Sequence, residues 1–187
     1  IKKAIDYAYL RIWKFHAKQI KGFKERIVYV DKFKNKLEYR NVPVGSVGIY
    51  VPGNLPSTLL MNSIPAKMAG VKKIILATPK INGKLNPAVL YAAKKIGIKE
   101  IYSMGGAQAI ASFAFIQKVN KVIGPGNKYV AEAKRQLFGT VGIDSIAGPS
   151  EIVVLANESS SPEQVAWDLL AQAEHDEDAS SILICTS

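Results

Sequence analysis

The sequence predicts an α/β fold in which a doubly wound parallel sheet precedes the incomplete start of a second α/β domain. From residue 47 onward, short apolar runs alternate with helical segments of about ten to fifteen residues, a pattern typical of a parallel sheet. Crossovers flank each run, so we expect both faces of the sheet to be covered and the connections to be right-handed. The predicted strands are Val47–Val51, Lys73–Ala77, Glu100–Met104, Val119–Ile123 and, more weakly, Gly142–Ile146, and the helices between them are Ser57–Ala69, Pro87–Ile96, Ala107–Phe115 and Lys128–Phe138.

Residues 1–46 precede this pattern and predict a helix followed by a hairpin. In Ile1–Ile20, five residues lie at helical spacing: Ile5, Ala8, Ile12, Phe15 and Gln19. This spacing predicts an amphipathic helix with a buried stripe of Tyr, Trp and Ile side chains. Two apolar arms, Ile27–Phe33 and Leu37–Tyr39, flank a turn at 34–36 and predict a hairpin. We expect this N-terminal segment to pack with the second domain.

The remaining chain divides into a complete sheet domain, residues 47–148, and the opening of another, residues 149–187. In the latter, the sequence predicts a buried strand at Glu151–Ala156 and the start of another strand at Ser181–Cys185. The helix between them begins at Pro162, with Ser161 suited to its N-cap and Gln164 to a capping box, and should run to about His175. A strand with nothing after it is a poor place for a domain to finish, so we expect this domain to be unfinished.

Charge and composition narrow the class of protein. The net charge is +10, but residues 150–187 hold eight acids and no Lys or Arg, whereas residues 1–40 hold twelve Lys/Arg against four acids. Most lysines are predicted to lie on solvated polar faces of helices or at the starts of strands, without aromatic residues between them. We therefore expect no nucleic-acid partner. No apolar stretch approaches the ~20 residues of a membrane span, so no membrane partner is expected. The lone Cys185 excludes an internal disulfide and fits a reducing cytoplasm.

Small residues follow the predicted strands four times, at 50–54, 105–108, 124–127 and 147–150. Ligands of open α/β sheets bind outside the carboxyl ends of the strands, where such turns expose backbone N–H groups to an anion. None of the turns matches G-x-G-x-x-G, so the domain is Rossmann-like without that fingerprint. Each glycine could merely close a tight turn. Polar side chains at the turns could instead converge on one crevice and bind a nucleotide or a small polar substrate: Tyr50, Gln108, Asn127 and Ser150.

A second cluster lies near the end of the helix from Pro162. Gln172 and His175 are three residues apart, a spacing at which two helical side chains can point at a common atom and ligate a metal. The alternative is that His175 caps the helix C-terminus, with the neighbouring acids forming a solvated end. Two ligands do not complete a tetrahedral zinc site, so another protein donor would be needed.

Six motifs, in order along the chain, closely resemble the histidinol dehydrogenase family. They are Val47–Gly53, Gly105–Ala111, Gly124–Asn127, Glu132–Arg135, Ala147–Glu151 and Ala171–His175. The resemblance covers essentially the whole chain. It implies oxidation of L-histidinol to L-histidine through the aldehyde, with two NAD and a bound zinc, by a homodimer. Residue by residue, it implies that Tyr50, Gln108 and Asn127 contact NAD, that Ser150 contacts substrate, and that Gln172 and His175 ligate zinc and help hold substrate.

The sequence also departs from that family. Two loops, after Gly53 and between Phe115 and Gln117, are shorter than the family pattern. The family's Glu-His pair, which activates water, and its other zinc ligands are expected after Ser187, so we assign no catalytic residue within this chain and expect it to be inactive alone. The alternative function is a non-catalytic small-molecule-binding module of the same fold.

Overall fold

The computed structural model describes residues 1–147, 150–174, 177 and 179–186. The chain divides into two compact units, Ile1–Ile146 and Ala147–Ser187. Within the described residues, no helix combines the length and the hydropathy that crossing a membrane requires. The first unit contains the main sheet and its helices, and the second is a smaller β-α-β unit.

The first helix, α1 (Lys2–Lys21), packs on the main sheet domain. Ile5 is buried in the core that this helix shares with the sheet, and Tyr9, Ile12 and Trp13 pack against that core. The predicted Tyr/Trp/Ile stripe is therefore present, but Phe15, which was predicted to lie on it, is 61% exposed. The apolar face of the helix packs on the core of the first unit, and the packing of this segment with the second domain stays a prediction.

Polar contacts fix the same helix to its neighbour in the fold, the helix over Pro87–Ile96. Asp6 accepts hydrogen bonds from the Tyr91 hydroxyl at 3.0 and 3.1 Å and pairs with the Lys95 ammonium at 2.7 Å. The hydrogen bond from Lys95 lowers the pKa of the Asp6 carboxyl, and the Tyr91 bond adds to this. The ion pair therefore reinforces the docking of α1 at every pH between the acid range, where Asp6 gains a proton, and the alkaline range, where Lys95 loses one.

The hairpin consists of β1 (Arg26–Val30) and β2 (Lys36–Arg40), which pair in antiparallel register with Arg26 opposite Arg40. The first predicted arm, Ile27–Phe33, is too long, because the turn begins at Asp31. The Asp31 carboxylate accepts from the amides of Phe33 and Asn35, both at 2.8 Å, and this local capping ends the strand. All ten strand residues are exposed, so the hairpin's packing partner stays a prediction.

The described residues of the main domain form a five-stranded parallel sheet that confirms the predicted doubly wound α/β fold. The strands occur in the order β5-β4-β3-β6-β7, and all neighbours pair in parallel. The elements in chain order are β3 (Ser46–Tyr50), α2 (Pro56–Met68), β4 (Lys73–Ala77), α3 (Pro87–Ile96), β5 (Glu100–Tyr102), α4 (Gly106–Phe115), β6 (Lys121–Ile123), α5 (Lys128–Leu137) and β7 (Gly142–Ile143).

Alternating strand residues build a separate core on each face of this sheet. Val47 and Ile49 lie in the core with α2 and α3, whereas Tyr50 lies in the core with α4 and α5. Both cores are apolar, which explains why the strands read as continuous hydrophobic runs. The edge strands are shorter than predicted: β5 ends at Tyr102 and β7 at Ile143. Just after β7, the Asp144 amide still donates to the Val122 carbonyl at 3.2 Å, and its carboxylate accepts from the Gly124 amide in the turn that follows β6.

The second unit contains β8 (Glu151–Asn157), α6 (Pro162–Ala173) and β9 (Ser180–Thr186). The two strands pair in parallel, with Glu151 opposite Ser180. The predicted N-cap is confirmed, because the Ser161 hydroxyl accepts from the Gln164 amide at 3.5 Å. The helix ends at Ala173, and the predicted end at His175 lies outside the described residues.

The contact between Gly48 and Phe113 gives a test of the packing between β3 and α4. A Cβ atom at Gly48 would lie 2.5 Å from Cγ of the fully buried Phe113, so Gly48→Ala should lower the free energy of unfolding by about 1–3 kcal/mol. Gly22→Ala is the control, because its Cβ would meet only the Gln19 carbonyl, at 3.5 Å. Chemical denaturation measures both variants, and equal stability of the two would contradict this packing.

Candidate functional site

The reversal of strand order lies between β3 and β6. The chain leaves β3 toward β4 on one side and leaves β6 toward β7 on the other, so the two crossovers run in opposite directions. A crevice outside the carboxyl ends of the strands, at such a switch point, is where open α/β sheets bind ligands. The turns that flank it here begin at Tyr50 and at Gly124.

Tyr50 connects the end of β3 to the start of α4. Its side chain is 6% exposed, and its hydroxyl accepts a hydrogen bond from the Gly106 amide at 3.2 Å. Gly105 is the N-cap of α4, and a Cβ atom there would lie 3.8 Å from the Tyr50 hydroxyl. The structure therefore brings Tyr50 and the turn at 105–108 together.

Gly124 lies directly beside the backbone of Tyr50, one residue beyond the paired Ile49 and Ile123 of the neighbouring strands. It has φ +116°, and a Cβ atom at this position would overlap the Tyr50 carbonyl oxygen. Only glycine allows both this conformation and this close approach. The turns after β3 and β6 are therefore in contact at the switch point, and their positions depend on each other.

Asn127 is the N-cap of α5. Its Oδ1 accepts from the Val130 amide at 3.2 Å, and a Cβ atom at Gly126 would lie 2.5 Å from the Val130 Cβ. The predicted ligand contact by Asn127 would therefore share this side chain with a capping role. Asn127 is exposed, so its amide group faces a region that a ligand can reach.

Gln108 lies on the first turn of α4 and is exposed. Its Oε1 would lie 3.1 Å from a Cβ atom at Gly106, where φ is +63°. No side chain among the described residues caps this helix at Gly105. Because the first amides of a helix lack intrahelical partners and carry partial positive charge, the start of α4 suits an anionic group.

A buried lysine, Lys134, pairs beside this site with Asp144, whose side chain is 31% exposed, and sequence reasoning missed both. Lys134 is 4% exposed, and its ammonium donates to Asp144 Oδ1 at 2.7 Å and to the Gly124 carbonyl. The other carboxylate oxygen, Oδ2, accepts from the Gly124 amide at 2.8 Å. One signal was available in the sequence: Lys134 follows the apolar Val130 by four residues and so lies on the inward stripe of α5.

The other predicted ligand residues lie in the second unit. Gln172 Nε2 donates to the carbonyl oxygen of Ser150 at 3.3 Å, so the structure brings these two residues together. His175 lies outside the described residues, as do Gly148 and Pro149 of the predicted fourth turn. Among the described residues, no group of three or more His, Cys, Asp or Glu side chains could hold a metal. The predicted cleft shared by Gln172, His175 and the turns of the first unit stays a prediction.

Comparisons with known proteins agree with one another. A family model described as histidinol dehydrogenase matches residues 1–187. Histidinol dehydrogenase of Pelagibacter ubique is 57% identical over 98% of this chain, and histidinol dehydrogenase 1 of Trichormus variabilis is 54% identical over 100% of it. The crystal structure of histidinol dehydrogenase from Elizabethkingia anophelis superposes with a TM-score of 0.84 at 42% identity, covering 99% of this chain. The chain spans 44% of the length of each of these three proteins.

The contact between Gly124 and Tyr50 predicts that alanine destabilises the protein more at Gly124 than at Gly139, another glycine with positive φ. Gly124→Ala should lower the free energy of unfolding by about 3 kcal/mol or more, because backbone strain and overlap with the Tyr50 carbonyl add together. Gly139→Ala isolates the strain: its φ is +96°, but no atom of the described residues lies within 4 Å of the new Cβ. In this control, the free energy of unfolding measured by chemical denaturation should fall by only about 1–2 kcal/mol. Equal losses in the two variants would rule out the close approach.

Proposed function

The chain belongs to the histidinol dehydrogenase family, and from this premise we propose that the protein oxidises L-histidinol to L-histidine with NAD at a zinc-containing site. The observation that carries the proposal is the agreement between the family and the geometry of the switch point. Three residues that are expected to contact NAD lie at the carboxyl edge of the sheet. Tyr50 contributes a hydroxyl there, and Gln108 and Asn127 are exposed.

The residues at this edge fit a dinucleotide. The amino end of α4 offers backbone amides to an anionic pyrophosphate, and the glycines at 105 and 106 leave room for close approach. We propose that Gln108 and Asn127 supply side-chain hydrogen bonds to the cofactor, and that Tyr50 holds the start of α4 in place through the Gly106 amide. When bound, NAD accepts the hydride of each of two successive oxidations.

The donors proposed for zinc and substrate are neutral. The hydrogen bond from Gln172 Nε2 to Ser150 leaves the side-chain carbonyl oxygen, Oε1, as the atom available to a cation. We propose that His175 supplies a ring nitrogen and that Ser150 binds substrate. When bound, zinc orients the amino alcohol by coordination rather than by redox chemistry. The hydrogen bond from Gln172 to Ser150 supports a role of both residues in one site, because it fixes the amide plane of Gln172 that presents Oε1.

The described residues act in this proposal by binding and orientation. We assign the general base to none of them, and the family's Glu-His pair stays expected after Ser187. The first oxidation converts the alcohol to the aldehyde, and the second converts the aldehyde and one water to the carboxylate. A homodimer and a cytoplasmic location also stay predictions.

The proposal is tested with the full-length protein, histidinol and NAD. We expect NADH to form in a ratio of two per histidinol consumed, because alcohol becomes carboxylate in two two-electron steps. Removing zinc with a chelator should abolish NADH formation, and adding zinc should restore it. NAD binding without histidinol-dependent NADH would refute the enzyme and favour a non-catalytic module. NADH formation that survives complete metal removal would refute the zinc role alone.

A further inference from the structure

The charged ammonium of Lys134 is buried on the core side of α5, where burying a charge destabilises the fold. Lys134 lies in the core face of α5 with 5% of its side chain exposed, while its partner Asp144 is 31% exposed. A buried charge is tolerated only when it is paired and hydrogen-bonded, and an apolar residue of similar size would often stabilise the fold as well or better. Stability alone therefore does not explain a lysine at this position.

The pair closes a ring around one glycine. Asp144 Oδ2 accepts from the Gly124 amide at 2.8 Å, Asp144 Oδ1 accepts from Lys134 at 2.7 Å, and Lys134 donates to the Gly124 carbonyl. Both polar backbone groups of Gly124 are thus bound by the same two side chains. The peptide planes on either side of this residue cannot rotate without breaking a charge-assisted hydrogen bond.

The glycine in that ring controls the turn at the switch point. Gly124 packs on the Tyr50 carbonyl, and Asn127 begins α5 three residues later. Lys134 comes from the interior of α5 and Asp144 from the residue after β7, so the ring connects the turn to two other elements of the sheet. A turn held in this way is already ordered before a ligand arrives, which lowers the entropy lost on binding.

A second ion pair on the same helix shows the contrast. Arg135 and Glu132 pair at 2.6 Å, but their side chains are 61% and 46% exposed. Hydrogen bonds from Arg135 and Gln136 lower the pKa of the Glu132 carboxyl to about 2. Arg135 directly follows Lys134 in the sequence, and the Arg135–Glu132 pair has no contact with Gly124 among the described hydrogen bonds. It serves as a matched control for loss of an ion pair from α5.

We propose that Lys134 and Asp144 are positioning residues for the dinucleotide, holding the Gly124–Asn127 turn in the conformation that binds it. This inference rests on the proposed function, because it requires NAD to bind at the switch point. Neither side chain contacts the cofactor in this account. They act through the backbone of Gly124, and their loss should weaken NAD binding more than it weakens histidinol binding.

The test compares Lys134→Met and Asp144→Asn with Arg135→Met in the full-length protein. Calorimetric titration gives the Kd for NAD, steady-state kinetics give separate KM values for NAD and histidinol, and thermal unfolding gives Tm. We expect the Kd and KM for NAD to rise roughly tenfold to a hundredfold in the first two variants, as a misplaced binding element does. The KM for histidinol, and all constants of Arg135→Met, should stay within about twofold of the wild type.

Each outcome decides the inference. Folded Lys134→Met and Asp144→Asn proteins with unchanged NAD affinity would overturn it, and so would parallel rises in both KM values with a lowered Tm, which indicate a general structural role. If Lys134→Met does not fold, Asp144→Asn decides, because asparagine keeps the size of aspartate but replaces one of its two acceptor oxygens with an NH2 donor, so it cannot accept from both Lys134 and the Gly124 amide. A wild-type protein that binds no NAD would overturn the proposed function itself, before any variant is compared.

Discussion

The contact between Gly124 and the carbonyl of Tyr50 is the constraint on which the candidate site depends. It exists because β3 and β6 are neighbouring parallel strands, and their register, with Ile49 opposite Ile123, places Gly124 beside Tyr50. Gly124 has φ +116°, and a Cβ atom there would overlap the Tyr50 carbonyl oxygen, so this position requires glycine. Tyr50 in turn binds the Gly106 amide, so a single residue connects both glycine turns to the central strand.

The fold could be predicted from the sequence because its main determinant is local. Apolar runs buried on both faces define the strands, and helical periodicity defines the segments between them. Errors occur where side chains act at a distance or compete with the ladder. Asp31 ends the first hairpin arm early, and Asp144 hydrogen-bonds Gly124 just where the last strand was expected to continue. The periodicity of α1 also predicts an apolar face, but it does not predict which part of the protein that face packs against.

The candidate site was only partly predictable. The position of Tyr50 and of the glycine turns follows from the rule that strands of a parallel sheet end at one edge. The burial of Lys134 could be predicted from its place on α5, but its partner could not, because Asp144 is ten residues away on another element. The functions of Gln172 and His175 rest on family resemblance, since two helical positions do not define a metal site.

Hydrogen–deuterium exchange of the full-length protein, with and without saturating NAD, tests the central claim most directly. If the dinucleotide binds at the switch point, amide exchange should slow at residues 105–108 and 124–127 and stay unchanged in the exposed hairpin, Arg26–Arg40. Binding of NAD with no protection in either glycine turn would contradict the account, whatever the activity of the protein.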